Sequence, residues 1–387
     1  MRALVVGIGI AMTVLLGGVG CTRGRAHDPT PDLFHMAGSY EVGENPTFLA
    51  TADFNRDRIP DLVTANINGQ NVSILLGKGD GTFQERVRYR VGELPRTLTI
   101  ADVTGDHIPD IIVANNGSNT LSILKSRGDG TFEDAIHRPV GQSPLAITAA
   151  DFNGDGHPDL AVCLRFDKVA ILLGDGRGGL VDGQVFDPGD TPSSIVAADF
   201  NGDGRVDLAV ANSGMMRGNI AVFLGDGTGR FEPAGEYGDR IRPIFLTTGD
   251  FNGDGHLDLV ETDGPRNLLT VFLGRGNGAF EPGKSFAAES GPVFIAAGDF
   301  NHDRHLDVAV TNNVSNNLSV VIGNGDGTFR FPPFDYQTDR GPFAVVAEDF
   351  NGDGIVDVAI AHFQSENVTV WLGKSEKELL KKERQNG

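Results

Sequence analysis

The chain has 387 residues, with 52 Asp+Glu against 32 Lys+Arg and a formal net charge of −20. That balance excludes a phosphate-tracking nucleic-acid binder and a polybasic membrane binder, both of which need a surplus of Lys and Arg. With 53 Gly, 40% apolar residues and 2 Cys, the composition is that of a folded, turn-rich chain without a disulfide framework.

Residues 1–20 read as an export signal. Met1-Arg2 precedes an apolar run, Ala3 to Leu16, and the small residues Gly17-Gly18-Val19-Gly20 lead into Cys21. The run is shorter than the roughly 20 apolar residues of a membrane span. Small residues before a Cys resemble a bacterial lipoprotein signal, which implies that Cys21 is lipidated and becomes the mature N-terminus. Gly18 stands where that family usually carries Leu. The alternative is an ordinary signal cut a few residues later. The expected location is the cell envelope or the exterior, with membrane contact through the lipid anchor only. Residues 21–35, with Pro29 and Pro31, read as a tether.

Residues 36–373 are built on one repeat. A nonapeptide that opens Asp-Phe-Asn starts at 53, 151, 199, 250, 299 and 349, and a variant copy, Asp-Val-Thr, starts at 102. The spacing is 48 to 51 residues. Around each copy the texture is β. Pro144 to Ala150 enters the loop, Leu160 to Leu164 leaves it, and Val169 to Leu173 forms a third run before the turn. Turns such as Gly79-Asp80-Gly81 supply the φ > 0 positions of a tight hairpin. A weaker fourth run, such as Val87 to Val91, closes the unit. No helical period is sustained before residue 375. The predicted fold class is all-β, a seven-bladed β-propeller of four-stranded blades. The last repeat stops after three strands at Trp371-Leu372-Gly373, while Ser39 to Gly43 matches the missing fourth. The N-terminal strand is therefore predicted to complete the last blade.

Each nonapeptide carries Asp at positions 1, 5 and 9 and, in six of seven copies, Asn at position 3. The sets are Asp53, Asn55, Asp57, Asp61; Asp102, Thr104, Asp106, Asp110; and Asp151, Asn153, Asp155, Asp159. They continue as Asp199, Asn201, Asp203, Asp207; Asp250, Asn252, Asp254, Asp258; Asp299, Asn301, Asp303, Asp307; and Asp349, Asn351, Asp353, Asp357. Oxygen ligands alternating along a tight turn suit a hard cation such as Ca²⁺ or Mg²⁺. The EF-hand reading fails, because its position 12 must be a bidentate acid and here it is apolar in five of seven copies, as at Val162, with Thr64 and Glu261 in the other two, and strands flank the loop where an EF-hand has helices. The loops, with seven spaced copies, resemble instead the FG-GAP/VCBS repeat family, whose members include the seven-bladed head of integrin α chains.

That resemblance implies a Ca²⁺ in each loop, up to seven in all, held by side chains 1, 3, 5 and 9. The backbone carbonyl of position 7 would add a ligand, from Ile59, Ile108, His157, Arg205, His256, His305 and Ile355. Loops starting at Asp151, Asp199, Asp250 and Asp349 match the family pattern fully. The first and sixth replace Gly at position 6 by Arg58 and Arg304, and the second has His107 there and Thr104 at position 3. The alternative for a loop is an Asx-type turn without metal.

The His residues at position 7 are expected to face solvent, Cys163 to lie in the core, and the Phe residues and Trp371 to pack blades. Arg127-Gly128-Asp129 is part of a hairpin turn rather than an adhesion signal. With the acidic loops on one face, the other carries Arg96, Arg165, Arg217, Arg240, Arg242, Arg266 and Arg340, candidates for an acidic ligand. Scattered solvated Arg is the bland alternative. By resemblance the function is a non-enzymatic binding or adhesion scaffold for a protein or glycan, monomeric and without nucleic acid. The alternative is a polysaccharide-active, lyase-like propeller with its site opposite the Ca²⁺ loops. Residues 374–387 form a charged tail in which Ser375 to Glu378 can cap a short helix.

Overall fold

Among the described residues the apolar runs form 28 strands in seven four-stranded antiparallel sheets. The structure, a computed structural model, describes residues 33–375, 378 and 379. The expected signal, Cys21, most of the tether and most of the tail lie outside those residues. Blade 1 is Pro46–Ala52, Asp61–Asn66, Asn71–Leu75 and Val87–Arg90, from axis to rim, and blades 2 to 6 repeat it. The first two strands of a blade are buried almost throughout, and the rim strand alternates or is exposed. Each innermost strand packs on the innermost strands of both neighbours, the first against the last included, so the ring is closed.

Closure comes from the N-terminal strand. Blade 7 consists of Pro342–Glu348, Asp357–His362 and Asn367–Gly373, and Phe34–Glu41 pairs antiparallel with the last of these as the rim strand. The pairing runs from Phe34 opposite Gly373 to Glu41 opposite Asn367. Beyond it, Lys374 N–H donates to the Leu33 carbonyl at 2.8 Å and Val42 N–H to the Glu366 carbonyl at 3.0 Å. The strand starts two residues before the boundary read at 36. Leu33 and Phe34 are buried, and Phe34 meets Phe300 of blade 6 edge to face at 5.5 Å.

A second device joins blade to blade. The Phe at loop position 2 is buried and packs on an aromatic ring of the next blade: Phe54 on Phe132, Phe152 on Phe231, Phe200 on Phe280, Phe251 on Phe329 and Phe350 on Phe83. Ring centroids lie 5.3–6.1 Å apart, all edge to face, a geometry favoured by the ring quadrupoles. The carbonyl of the same residue accepts a hydrogen bond from a turn Gly of the next blade. Phe54 takes it from Gly130 and Phe350 from Gly81, and Val103 of the variant loop takes one from Gly178 at 2.7 Å. These Gly have φ near +80°, where a side chain is strained. Cys163 is buried and free, and burial pushes its thiol pKa well up.

Candidate functional site

The seven acidic loops join the first and second strands of their blades and therefore all lie on one face of the ring. Their local fold follows from Asx chemistry. In the loop at Asp151, Oδ1 of Asp151 accepts the N–H groups of Gly154 and Asp155, and Oδ2 accepts that of Gly156. The Asp155 N–H is shared with Asn153 Oδ1 at 2.9 Å, which brings the position-1 and position-3 oxygens together. Asn153 Nδ2 donates to Asp155 Oδ2 at 2.9 Å, so the position-5 carboxylate joins them. The loops at Asp199, Asp250 and Asp349 repeat this network bond for bond. The loops at Asp53 and Asp299 keep the convergence of positions 1, 3 and 5.

The second loop departs from it. Thr104 Oγ1 donates to the buried Asp110 Oδ2 at 3.1 Å and lies 3.5 Å from Asp102 Oδ1, and it makes no counterpart of the Asn bond to the position-5 carboxylate, Asp106. Positions 4 and 6 both have left-handed backbone. Gly fills position 4 in five loops, while Arg56 and His302 adopt φ 63° and 65° there. The first and sixth loops thus hold two left-handed non-Gly residues each, adding Arg58 and Arg304, at about 1–2 kcal/mol per residue.

Position 9 stands apart from the other three. Asp61, Asp110, Asp159, Asp207, Asp258, Asp307 and Asp357 are all fully buried. One oxygen of each accepts the N–H of position 2 and the other an N–H at the end of the third strand. For Asp258 these donors are Phe251 at 2.8 Å and Gly274 at 2.7 Å. The same carboxylate pins the loop, the second strand and the third in every blade. Burial pushes Asp61, Asp207, Asp258 and Asp357 up to about 6 and Asp307 to about 7, and the position-5 and position-1 carboxylates beside them add to the rise. Asp110 and Asp159 are raised as well, chiefly by burial.

This donor set fits a hard cation. Two carboxylates and an amide oxygen converge at the loop surface over a third carboxylate, and a divalent charge there would relieve their repulsion. Positions 1, 3 and 5 have oxygen lone pairs free for it, and position 9 serves the fold first. At position 7 the N–H of each residue donates to the position-5 carboxylate, as His256 does to Asp254 at 2.8 Å, which holds Asp254 below the usual carboxylate range. The rings of His157, His256 and His305 lie over the first Gly of the following turn (Gly176, Gly276 and Gly325). His256 and His305 are exposed, and His157 is half-buried.

The opposite face is built by the loops between second and third strands and by the links between blades. Arg217, Arg240, Arg242 and Arg266 gather where blade 4 meets blade 5. Arg266 donates to the Arg240 carbonyl and pairs with Asp263 at 3.3 Å, and Asp263 also accepts the Arg242 N–H. Arg96, Arg165 and Arg340 stand apart on blades 2, 3 and 7. Arg96 is half-buried in the innermost strand of blade 2 with its Nε enclosed, and burial draws its guanidinium down to about 10. Arg165 lies over the Phe166 ring at 5.7 Å. Along the axis a cavity of about 210 Å³ is lined by Phe48, Phe245, Phe294, Thr51 and Thr248 among others, with Glu348 its one charged lining residue. Phe245 stacks on Phe294 at 4.2 Å.

Fold and loops together define a seven-bladed β-propeller with an acidic Asx loop on every blade. The model of the FG-GAP-like repeat matches residues 53–113, 102–162, 163–210, 199–261, 250–310 and 302–360, and the chain belongs to that family. No curated protein matches it. Among solved structures it is similar to a chain in the crystal structure of BBS1N in complex with ARL6DN. That likeness has a TM-score of 0.62 at 11% identity and covers 89% of this chain and 98% of the other. It is also similar to virginiamycin B lyase from Staphylococcus aureus, with a TM-score of 0.61 at 13% identity over 87% of this chain and 99% of the other. A protein from Lactobacillus plantarum gives 0.55 at 18% identity over 79% and 88%. At these identities the likeness is one of fold.

Proposed function

We propose that the protein is an exported, non-enzymatic recognition scaffold. Its acidic loops hold Ca²⁺ for rigidity, and its opposite face binds a protein or glycan. The observation that carries this reading is the division of the ring. Every acidic nonapeptide lies on one face, and the clustered Arg residues of blades 4 and 5 lie on the other. The four loops at Asp151, Asp199, Asp250 and Asp349 are the strongest Ca²⁺ candidates because each has converging oxygens and Gly at both left-handed positions. The lipid anchor at Cys21 and a monomeric state belong to the same proposal. In a lyase-like reading the axial cavity would house an acid and a base, and its lining supplies the single carboxylate of Glu348. A glycan and protein array run with Ca²⁺ and with chelator, scored for binding and for product, tests the proposal. Binding without product, lost in Arg242→Ala/Arg266→Ala, supports it; product formation at any spot overturns it.

A further inference from the structure

Blade 4 breaks the repeat. Between its second and third strands lie six residues, 213–218, where five other blades have four and blade 3 has three. The extra length exposes Met215 and Met216, at 79% and 80%, the two most exposed large apolar side chains of the described residues. In repeat folds, insertions into single repeats map to loops on one face, often the binding face. This one lies on the face away from the acidic loops.

The stem of the loop is fixed while its tip is presented. Ser213 and Gly214 donate N–H groups to Thr191 and Asp190 carbonyls at 2.9 and 3.0 Å, and Asn212 Nδ2 donates to Asn219 at 2.8 Å. A Cβ on Gly218 would collide with the Ile241 carbonyl oxygen, so the loop lies directly against the link 238–242. That contact brings the loop carrying Met215, Met216 and Arg217 against the link carrying Arg240 and Arg242, whose Arg240 carbonyl Arg266 reaches from blade 5. Arg217 has no ion pair among the described residues, and Arg242 Nε is buried without a partner. The acidic groups nearby are Asp190 against Gly214, the exposed Asp239 beside Arg240 at 3.9 Å, and Asp263, which is engaged by Arg266.

Met adapts its shape to apolar partners, and Arg is the cation enriched at interfaces. A positive cluster on a chain of net charge −20 selects partners carrying negative charge. We infer that this crest of blade 4 and the adjoining edge of blade 5 bind a protein segment in which apolar side chains alternate with carboxylates. The inference rests on the recognition-face reading and narrows it to one sector and one ligand chemistry.

The test uses the full chain and pools of short fluorescein-labelled peptides in which Leu, Met or Phe is flanked by Asp or Glu. Control pools carry Lys for the acids or Ser for the apolar residues. Fluorescence polarisation should show binding to the first pool only, weakening as NaCl is added. Met215→Ser/Met216→Ser and Arg217→Glu/Arg240→Glu should each weaken it about tenfold or more, the scale of interface hot spots. Arg340→Glu, on blade 7, should leave it unchanged, and all variants should keep the wild-type melting temperature. Equal binding of the Lys pool, or binding indifferent to the blade-4 variants, overturns the inference. So does binding to phosphatidylglycerol vesicles with no binding to peptides. Peptide binding that moves with Arg340→Glu instead overturns the sector and leaves the recognition face standing.

Discussion

Glu261 lies in the second strand of blade 5, fully buried, facing Leu246 and Thr270 on the strands either side, with the Thr270 side chain as the one polar group offsetting its burial by hydrogen bonding. The corresponding residue of the other blades is Thr64, Val113, Val162, Val210, Val310 or Ile360. Burial pushes the pKa of Glu261 up to about 8 from an ordinary 4.5. Folding therefore takes up a proton at this site between those values. The native state binds more protons than the unfolded state there, so stability is full below about pH 4.5 and falls as pH rises towards 8. At 1.36 kcal/mol per pH unit, the loss relative to acid pH is about 3 kcal/mol at pH 7 and about 5 kcal/mol above pH 8. Glu261→Gln keeps the shape and has no proton to lose. It should match wild type near pH 4.5 and exceed it by about 3 kcal/mol at pH 7, or about 4–5 °C in melting temperature for a ring of this size. Urea or thermal melts of both proteins across pH 4.5 to 8.5 check this, the difference between them cancelling the titration of the acidic loops. A gap that stays constant with pH refutes the buried, protonated Glu261.

Three further outcomes follow from the packing. Deleting residues 33–41 removes the rim strand of blade 7 and the Phe34–Phe300 contact, and should lower the melting temperature of the whole ring in one transition; an unchanged melt refutes closure by this strand. Phe350→Ala should cost about 3–5 kcal/mol in urea unfolding, because the ring is buried against Phe83 of the next blade. Asp207→Ala strands the N–H groups of Phe200 and Gly225 and should cost about 1–3 kcal/mol for each even in chelator, whereas Asp203→Asn should weaken Ca²⁺ binding with little effect in chelator.

The propeller was legible because one nonapeptide recurs seven times and its flanking runs have the length and turns of blade strands. The position-2 Phe were legible as blade packing for the same reason. The missing strand of blade 7 was found from Ser39 to Gly43, but its start was not. Phe34 is recognisable only through Phe300 and Tyr336, rings 266 and 302 residues away in sequence. The same limit hid the double duty of position 9. Its spacing looks like that of a ligand, while its two backbone donors come from the loop and from a strand end about 16 residues on. Left-handed position 4 had a signal, Gly in five of seven loops, that EF-hand-like spacing overshadowed. The blade-4 crest also left a trace, since the repeat from 199 to 250 is the longest at 51 residues. Which face that extra length lengthens is decided by the fold. Arg217, Arg240, Arg242 and Arg266 were read as members of a ring-wide set, and only the packing of Gly218 on Ile241 and of Arg266 on Arg240 makes them a cluster.

Calcium stoichiometry bears most directly on the division of the ring into a metal face and a recognition face. Titration calorimetry of chelator-stripped protein with CaCl₂, paired with melts in Ca²⁺ and in EDTA, should give at least four sites per chain and a melting temperature raised by Ca²⁺. A site held at about 100 Kd adds roughly 2.7 kcal/mol. No Ca²⁺-dependent heat together with identical melts in Ca²⁺ and EDTA would contradict it, leaving the acidic loops as Asx turns that staple the blades.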